Sequence, residues 1–178
     1  MESCSGSILD VGAGAGSHSL VLQSRGRDVT AMDISAFNCK VMKERGVHQV
    51  VEADFFSYNI QSFDTILLLM NGVGICGKLT GFSLLLQQCG QLLEPGGKVI
   101  LDSSDLSYIY DEDLKKPTDR YYGEVDCAYS YKDAFSETFT WLYLDFGTMC
   151  TICKQKGWSC TLLYEDGNNQ FLVALEKE

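Results

Sequence analysis

The sequence predicts an α/β fold: a three-layer sandwich with helices on both faces of a mostly parallel sheet. Three observations predict it. Short apolar runs at 8–11, 29–32, 63–70 and 99–101 recur with helical patterns between them. A glycine-rich turn, Gly12-Ala13-Gly14-Ala15-Gly16, joins the first run to the first helix. Turn signals such as Pro95-Gly96-Gly97 fall between elements and not inside them.

The 178 residues fit a single domain over 1–178, long enough to bury about 70% of the unfolded chain's surface. No apolar run approaches the length of a bilayer span, and Met1-Glu2-Ser3-Cys4 lacks a basic-then-apolar leader. No membrane partner is expected. The eight cysteines are dispersed through the elements of a sizeable core, which fits reduced thiols in a cytoplasmic protein. Cys150 and Cys153 form a C-x-x-C with Cys160 nearby, but the two histidines lie far off in sequence, so helix packing is expected there and no metal. A net charge of −10 repels polyphosphates, and no basic patch offsets it, so nucleic acid is not an expected partner. There is no internal repeat, low-complexity stretch or interdomain linker.

In chain order, Ile8, Leu9 and Val11 make a buried strand, and the three glycines turn the chain into a helix that Ser17 is placed to cap. Glycine permits the torsions of a sharp turn, and its missing Cβ lets a ligand lie against the backbone. Such a turn also presents helix N–H groups to a ligand. A dinucleotide fingerprint wants its third glycine or an alanine five residues after the first; here that position is Ser17, and the third glycine comes one residue early. Residues 28–33 form a second strand with Asp33 at its tip, where two carboxylate oxygens can accept both hydroxyls of a ribose. Capping of the next helix is the alternative role for Asp33, one that Ser35 fills equally well. A helix over 35–45 stops at Gly46, and a third strand over 47–53 leads into Asp54-Phe55-Phe56. An acid followed by aromatics can bond an adenine amine and pack on its face, although one of the two rings is expected in the core. A fourth strand over 63–70 ends in Asn71-Gly72-Val73-Gly74. Thr80 is placed to cap a long helix with Leu84, Leu85, Cys89, Leu92 and Leu93 on its apolar stripe, and a fifth strand ends near Asp102.

Together the Gly-x-Gly-x-Gly turn with Asp10 ahead of it, Asp33, Asp54, Phe63-Asp64 and Leu92-Leu93-Glu94-Pro95-Gly96-Gly97 resemble the motifs of class I S-adenosylmethionine (SAM)-dependent methyltransferases. The resemblance covers residues 7 to about 103 and resumes near the C-terminus. It implies a Rossmann-like sandwich whose seven-stranded sheet has its last strand antiparallel. A helix over 145–156 and strands over 158–164 and 170–175 supply that end. It also implies SAM as cofactor, with S-adenosylhomocysteine (SAH) as product. Contacts are then expected from Asp10, Gly12, Ala13, Gly14, Gly16, Asp33, Ile34, Asp54, Phe55, Asn71 and Gly72. Asp10 would orient the loop or the cofactor's amino group, Asp33 would take the ribose, and Asp54 with Phe55 the adenine. Asn71 would face the transferring methyl.

Two departures stand out. Family members carry helices ahead of their first strand, and here about six residues precede it, so a trimmed N-terminus is expected. Residues 104–144 form an insertion whose period-two patterning on both sides of Lys132-Asp133 predicts a β-hairpin. Tyr108, Tyr110, Tyr121, Tyr122, Tyr129, Tyr131, Trp141 and Tyr143 there can line an acceptor pocket, cover the sheet edge or form a homodimer contact. Methyl transfer needs alignment and exclusion of water more than a dedicated base. His18 is a candidate base, with capping or a contact to the cofactor carboxylate as its other roles, and Asn71 is the second catalytic candidate. The expected activity is methyl transfer to a small molecule. A SAM-binding sensor without catalysis and a nicotinamide-dependent oxidoreductase are the alternatives.

Overall fold

The computed structural model describes residues 3–178. Its centre is one seven-stranded sheet built from β1 (Ser7–Val11), β2 (Asp28–Asp33), β3 (Gln49–Glu52), β4 (Phe63–Leu68), β5 (Leu93–Ser104), β10 (Trp158–Glu165) and β11 (Gln170–Lys177). The spatial order is β10-β11-β5-β4-β1-β2-β3. Neighbours among β1 to β5 pair in parallel, while β11 runs antiparallel to both β5 and β10. This is the Rossmann-like arrangement expected from the sequence. The long apolar runs follow from burial on both faces. Leu9, Val11, Ile66, Leu68, Val99 and Leu101 face a core shared with α3 (Leu79–Leu92) and α4 (Phe146–Gln155). The alternate residues Ile8, Leu67 and Ile100 pack with Leu22 of α1 (Ser17–Ser24). Ala31 packs with Cys39 and Met42 of α2 (Ala36–Glu44).

Several local expectations are corrected. Ser17 does not cap α1: the cap position is Gly16, left-handed at φ 76°, and Ser17 is already helical. The third strand is shorter than 47–53, because the Val47 N–H closes the end of α2 on the Met42 carbonyl at 3.0 Å. The fourth strand stops at Leu68, two residues early, where the chain enters left-handed conformations at Met70 and Asn71. Thr80 lies inside α3; the Leu79 N–H at its start is bonded by Glu124 Oε1 at 2.8 Å, a cap supplied from the insertion. Leu84 is 60% exposed, and Phe82 and Leu86 take the core places with Leu85, Cys89 and Leu92.

The insertion is a two-tier hairpin. β6 (Glu124–Cys127) pairs with β9 (Phe139–Leu142), and beyond them β7 (Ser130–Tyr131) pairs with β8 (Ala134–Phe135) around Lys132 at φ 52°. The segment leading into it is tied by polar contacts to Asp105, just past β5, and to the start of α4. Tyr121 Oη donates to Asp145 Oδ2, the cap of α4, at 2.5 Å, and Tyr122 Oη donates to Asp105 Oδ1 at 2.7 Å. All eight cysteines are free thiols. Cys153 is in the core, and burial pushes the Cys150 thiol up to about 12. Among the described residues no three metal-ligating side chains are grouped to hold an ion, and no helix is long and apolar enough to cross a membrane.

Candidate functional site

A cavity of about 600 Å³ opens at the C-terminal tips of β1, β2 and β3, where ligands of open α/β sheets bind. Its walls include Gly12, Gly14, Asp33, Ile34, Asp54, Phe55 and Phe56 from the sheet side of the chain, together with Ile75, Tyr129 and Trp141.

The three loop glycines divide by task. Gly12 and Gly14 are left-handed, at φ 67° and 58°, and a Cβ on either would meet no protein atom within 4 Å. Their bare faces are therefore room for a ligand. Gly16 is the opposite case: a Cβ there would lie 2.8 Å from Val47 Cγ2 and 3.0 Å from Met42 Cγ, so this glycine serves packing of the loop on α2. The loop's shape is held from two sides. Its Ala13 N–H donates to the Met32 carbonyl at 2.9 Å, and its Gly14 N–H donates to Asp33 Oδ2 at 2.8 Å.

Asp33 is almost fully buried and also accepts from the Ser35 N–H, through Oδ1 at 2.9 Å. Each of its oxygens keeps a lone pair for a ligand. Ser35, not Asp33, caps α2, accepting from the Asn38 N–H at 3.3 Å. Asp54 caps the short 3₁₀ turn at Phe55–Ser57 by accepting from the Phe56 N–H at 3.0 Å. The two following rings separate as predicted. Phe55 is 5% exposed and belongs to the core, while Phe56, at 38%, offers the freer ring to the cavity.

Other sequence candidates lie around the cavity and not on its surface. Asp10 is 2% exposed and accepts from Ser19 Oγ at 2.6 Å, which ties β1 to α1 beneath the glycine loop. Burial pushes its carboxyl above the usual range, with the Ser19 hydroxyl and the charge of His18 opposing the rise. His18 is half-buried on the first turn of α1 and, like Ala13, is not part of the cavity wall. Asn71 has its carboxamide engaged, donating to the Leu142 carbonyl at 3.1 Å and accepting from Ser103 Oγ at 3.3 Å. Gly72 is buried against Leu68, whose Cβ stands 2.9 Å from where its own would be. Residues the motifs did not single out include Asn38, one helical turn past Ile34, and Ile75, in the 3₁₀ segment Gly72–Cys76. Apolarity at 75 was the available signal. It does not distinguish a cavity wall from a core position.

Residues 9–101 match the family model described as a methyltransferase domain. The chain belongs to that family. Among solved structures, it is similar to the SAM-dependent methyltransferase from Bacteroides fragilis in complex with S-adenosyl-L-homocysteine. The identity is 41% over 99% of this chain and 74% of that one, with a TM-score of 0.91. The glycopeptide N-methyltransferase MtfA, at 18% identity over 98% of this chain and 84% of that one, shares the methyltransferase fold with a TM-score of 0.69. A ubiquinone biosynthesis O-methyltransferase of Xanthomonas oryzae pv. oryzae is 28% identical over 103 residues, 54% of this chain. The chain spans 42% of the length of the curated relatives it matches.

Proposed function

We propose that this chain binds S-adenosylmethionine in the cavity at the tips of β1, β2 and β3 and transfers its methyl group to a small molecule. One observation carries the reading: the two open-faced glycines and the two carboxylates of Asp33 and Asp54 converge on a single cavity. Gly12 and Gly14 let the methionine part approach the main chain, Asp33 takes the ribose hydroxyls on its free lone pairs, and Asp54 with Phe56 takes the adenine. The charge in the cavity wall fits as well. Two carboxylates and no lysine or arginine suit a sulfonium nucleoside better than the pyrophosphate of a nicotinamide dinucleotide. SAM supplies an electrophilic methyl on a charged sulfur, so the protein's part is alignment and the exclusion of water.

The similar proteins include an O-methyltransferase and an N-methyltransferase by name, so the acceptor is argued from this cavity. Ile75, Tyr129 and Trp141 favour a small molecule with a flat apolar body, and the acidic wall disfavours an anionic one. Calorimetry with SAM and SAH tests the cofactor: both bind, and Asp33→Ala abolishes the heat. Binding of neither refutes the reading. SAH production with neutral aromatic acceptors, against phosphorylated ones, tests the acceptor class and separates an enzyme from a sensor.

A further inference from the structure

The loop after β4 is bent in a way that ordinary side chains resist. Met70 and Asn71 are both left-handed, at φ 62° and 58°, and two such non-glycine residues in succession persist only where the surroundings enforce them. Asp102 enforces them here. Its Oδ2 accepts from the Met70 N–H at 3.1 Å and its Oδ1 from the Asn71 N–H at 2.7 Å. The bend brings the Asn71 carboxamide to the base of the hairpin. There its NH2 group donates to the Leu142 carbonyl at 3.1 Å, and its oxygen accepts from Ser103 Oγ. Ser103 in turn accepts from the Leu144 N–H at 2.8 Å, so the amide's orientation is fixed by a carbonyl on one side and a hydroxyl on the other. Leu142 follows Trp141 directly on β9. The same loop carries Gly74, where a Cβ would stand 1.9 Å from Trp141 Nε1 and 2.0 Å from Cε2. The indole lies in the space a side chain at 74 would occupy, and it forms part of the cavity wall.

We propose that Asn71 is a positioning residue that sets Trp141 as a wall of the cavity. It acts through the Leu142 carbonyl, and Gly74 provides the seat for the indole. Asn71 in this account does not touch the transferring methyl. It fixes the width of the cavity where Trp141 lines it, and so which acceptor shapes fit. The proposal rests on the methyltransferase reading only for its ligand, since the indole is held without one.

The test uses the whole chain labelled with 5-fluorotryptophan, whose two tryptophans give two fluorine resonances, assigned with Trp141→Phe. Asn71→Asp keeps a residue that tolerates the left-handed backbone and removes the donor to Leu142. In ligand-free protein it displaces the Trp141 resonance and leaves that of Trp158, which also reports that the core is folded. Gly74→Ala displaces the same resonance from the other side. An unmoved Trp141 signal in both folded variants overturns the proposal. Should either variant fail to fold, the parent still decides: contacts between the Trp141 indole protons and the Gly74 α-protons are expected as nuclear Overhauser effects, and their absence overturns it. SAH affinity then separates positioning from general damage. Asn71→Asp is expected to weaken binding by less than tenfold, and Asn71→Asp with Trp141→Ala binds no more weakly than Trp141→Ala alone. Losses that multiply refute action through Trp141. Absence of SAH binding in the parent counts against the cofactor reading and leaves the ligand-free resonances to judge this one.

Discussion

The cavity is lined by Gly12, Gly14, Asp33 and Asp54 from the strand tips and by Tyr129 and Trp141 from the hairpin, and the two groups are made differently. The first are main chain and short acids at the tips of central strands, braced by Gly14 N–H and Ser35 N–H on one carboxylate. The second are rings on a hairpin whose outer rung has two residues per strand, with Tyr131 and Phe135 at its end 74% and 79% exposed. Strands buried on both faces open only with the whole fold, whereas an outlying hairpin belongs to the low-stability end of a structure. A wall of backbone recognises what every reaction of the cofactor shares. A wall of side chains on a hairpin can change shape by substitution without disturbing the sheet. Under the proposed function, the difference assigns cofactor to one side and acceptor choice to the other.

The strongest way to break that division is Asp33→Ala. It removes two charge-assisted bonds, one to the glycine loop and one to Ser35 at the start of α2, as well as the proposed ribose contacts, each worth about 1.5–3 kcal/mol. SAH affinity by calorimetry is expected to fall by about 100-fold or more. A loss below tenfold places the nucleoside elsewhere. Next come the glycines, which separate ligand room from packing. Gly14→Ala meets no protein atom, costs about 1–2 kcal/mol for its left-handed backbone, and weakens SAH binding by at least about tenfold. Gly16→Ala carries the same backbone cost plus a clash with Val47 and Met42. It lowers the urea midpoint further than Gly14→Ala does and leaves the affinity of the folded fraction nearly intact. If the two variants behave alike, the glycines share one task and the distinction fails. Third, Trp141→Ala is expected to change SAH affinity by less than about tenfold while changing the KM of an acceptor more than its kcat. Equality with Asp33→Ala would erase the contrast between the walls.

What the sequence disclosed follows the same divide. The convergence of Gly12, Gly14, Asp33 and Asp54 on one cavity was legible because each sits within a few residues of a strand tip, where spacing alone fixes position. The hairpin was legible from its period-two pattern, down to the turn at Lys132. Its contribution to the cavity was one of three open alternatives, because choosing among them depends on bonds between distant residues. Glu124 caps a helix that begins 45 positions earlier, and Asn71 reaches Leu142 across 71. The same holds for the strained bend at Met70 and Asn71, which no local propensity announces and which Asp102 enforces from another strand. Gly16 looked like its neighbours in the motif; only the position of Val47 shows its separate role.

The smallest expected effect concerns the layer beneath the first wall. Asp10 is held above its ordinary pKa by burial, so between the ordinary and the folded values the native protein binds more protons than the unfolded chain. Stability from this group is therefore fully present below the ordinary value near 3.8 and is lost as pH rises through the folded one. Asp10→Asn removes the titration and keeps an oxygen to accept from Ser19. Its stability relative to the parent should rise with pH across that window and stay level above it, as read from urea midpoints between pH 4 and 8. Each tenfold difference in proton affinity between the folded and unfolded states is worth about 1.4 kcal/mol. Ser19→Ala sharpens the test, because losing the hydroxyl that opposes the rise widens the window. A relative stability of Asp10→Asn that falls with pH would mean that the charged carboxylate is the favoured form under the loop. Asp10 would then belong to the ligand's electrostatics and not to the loop's support.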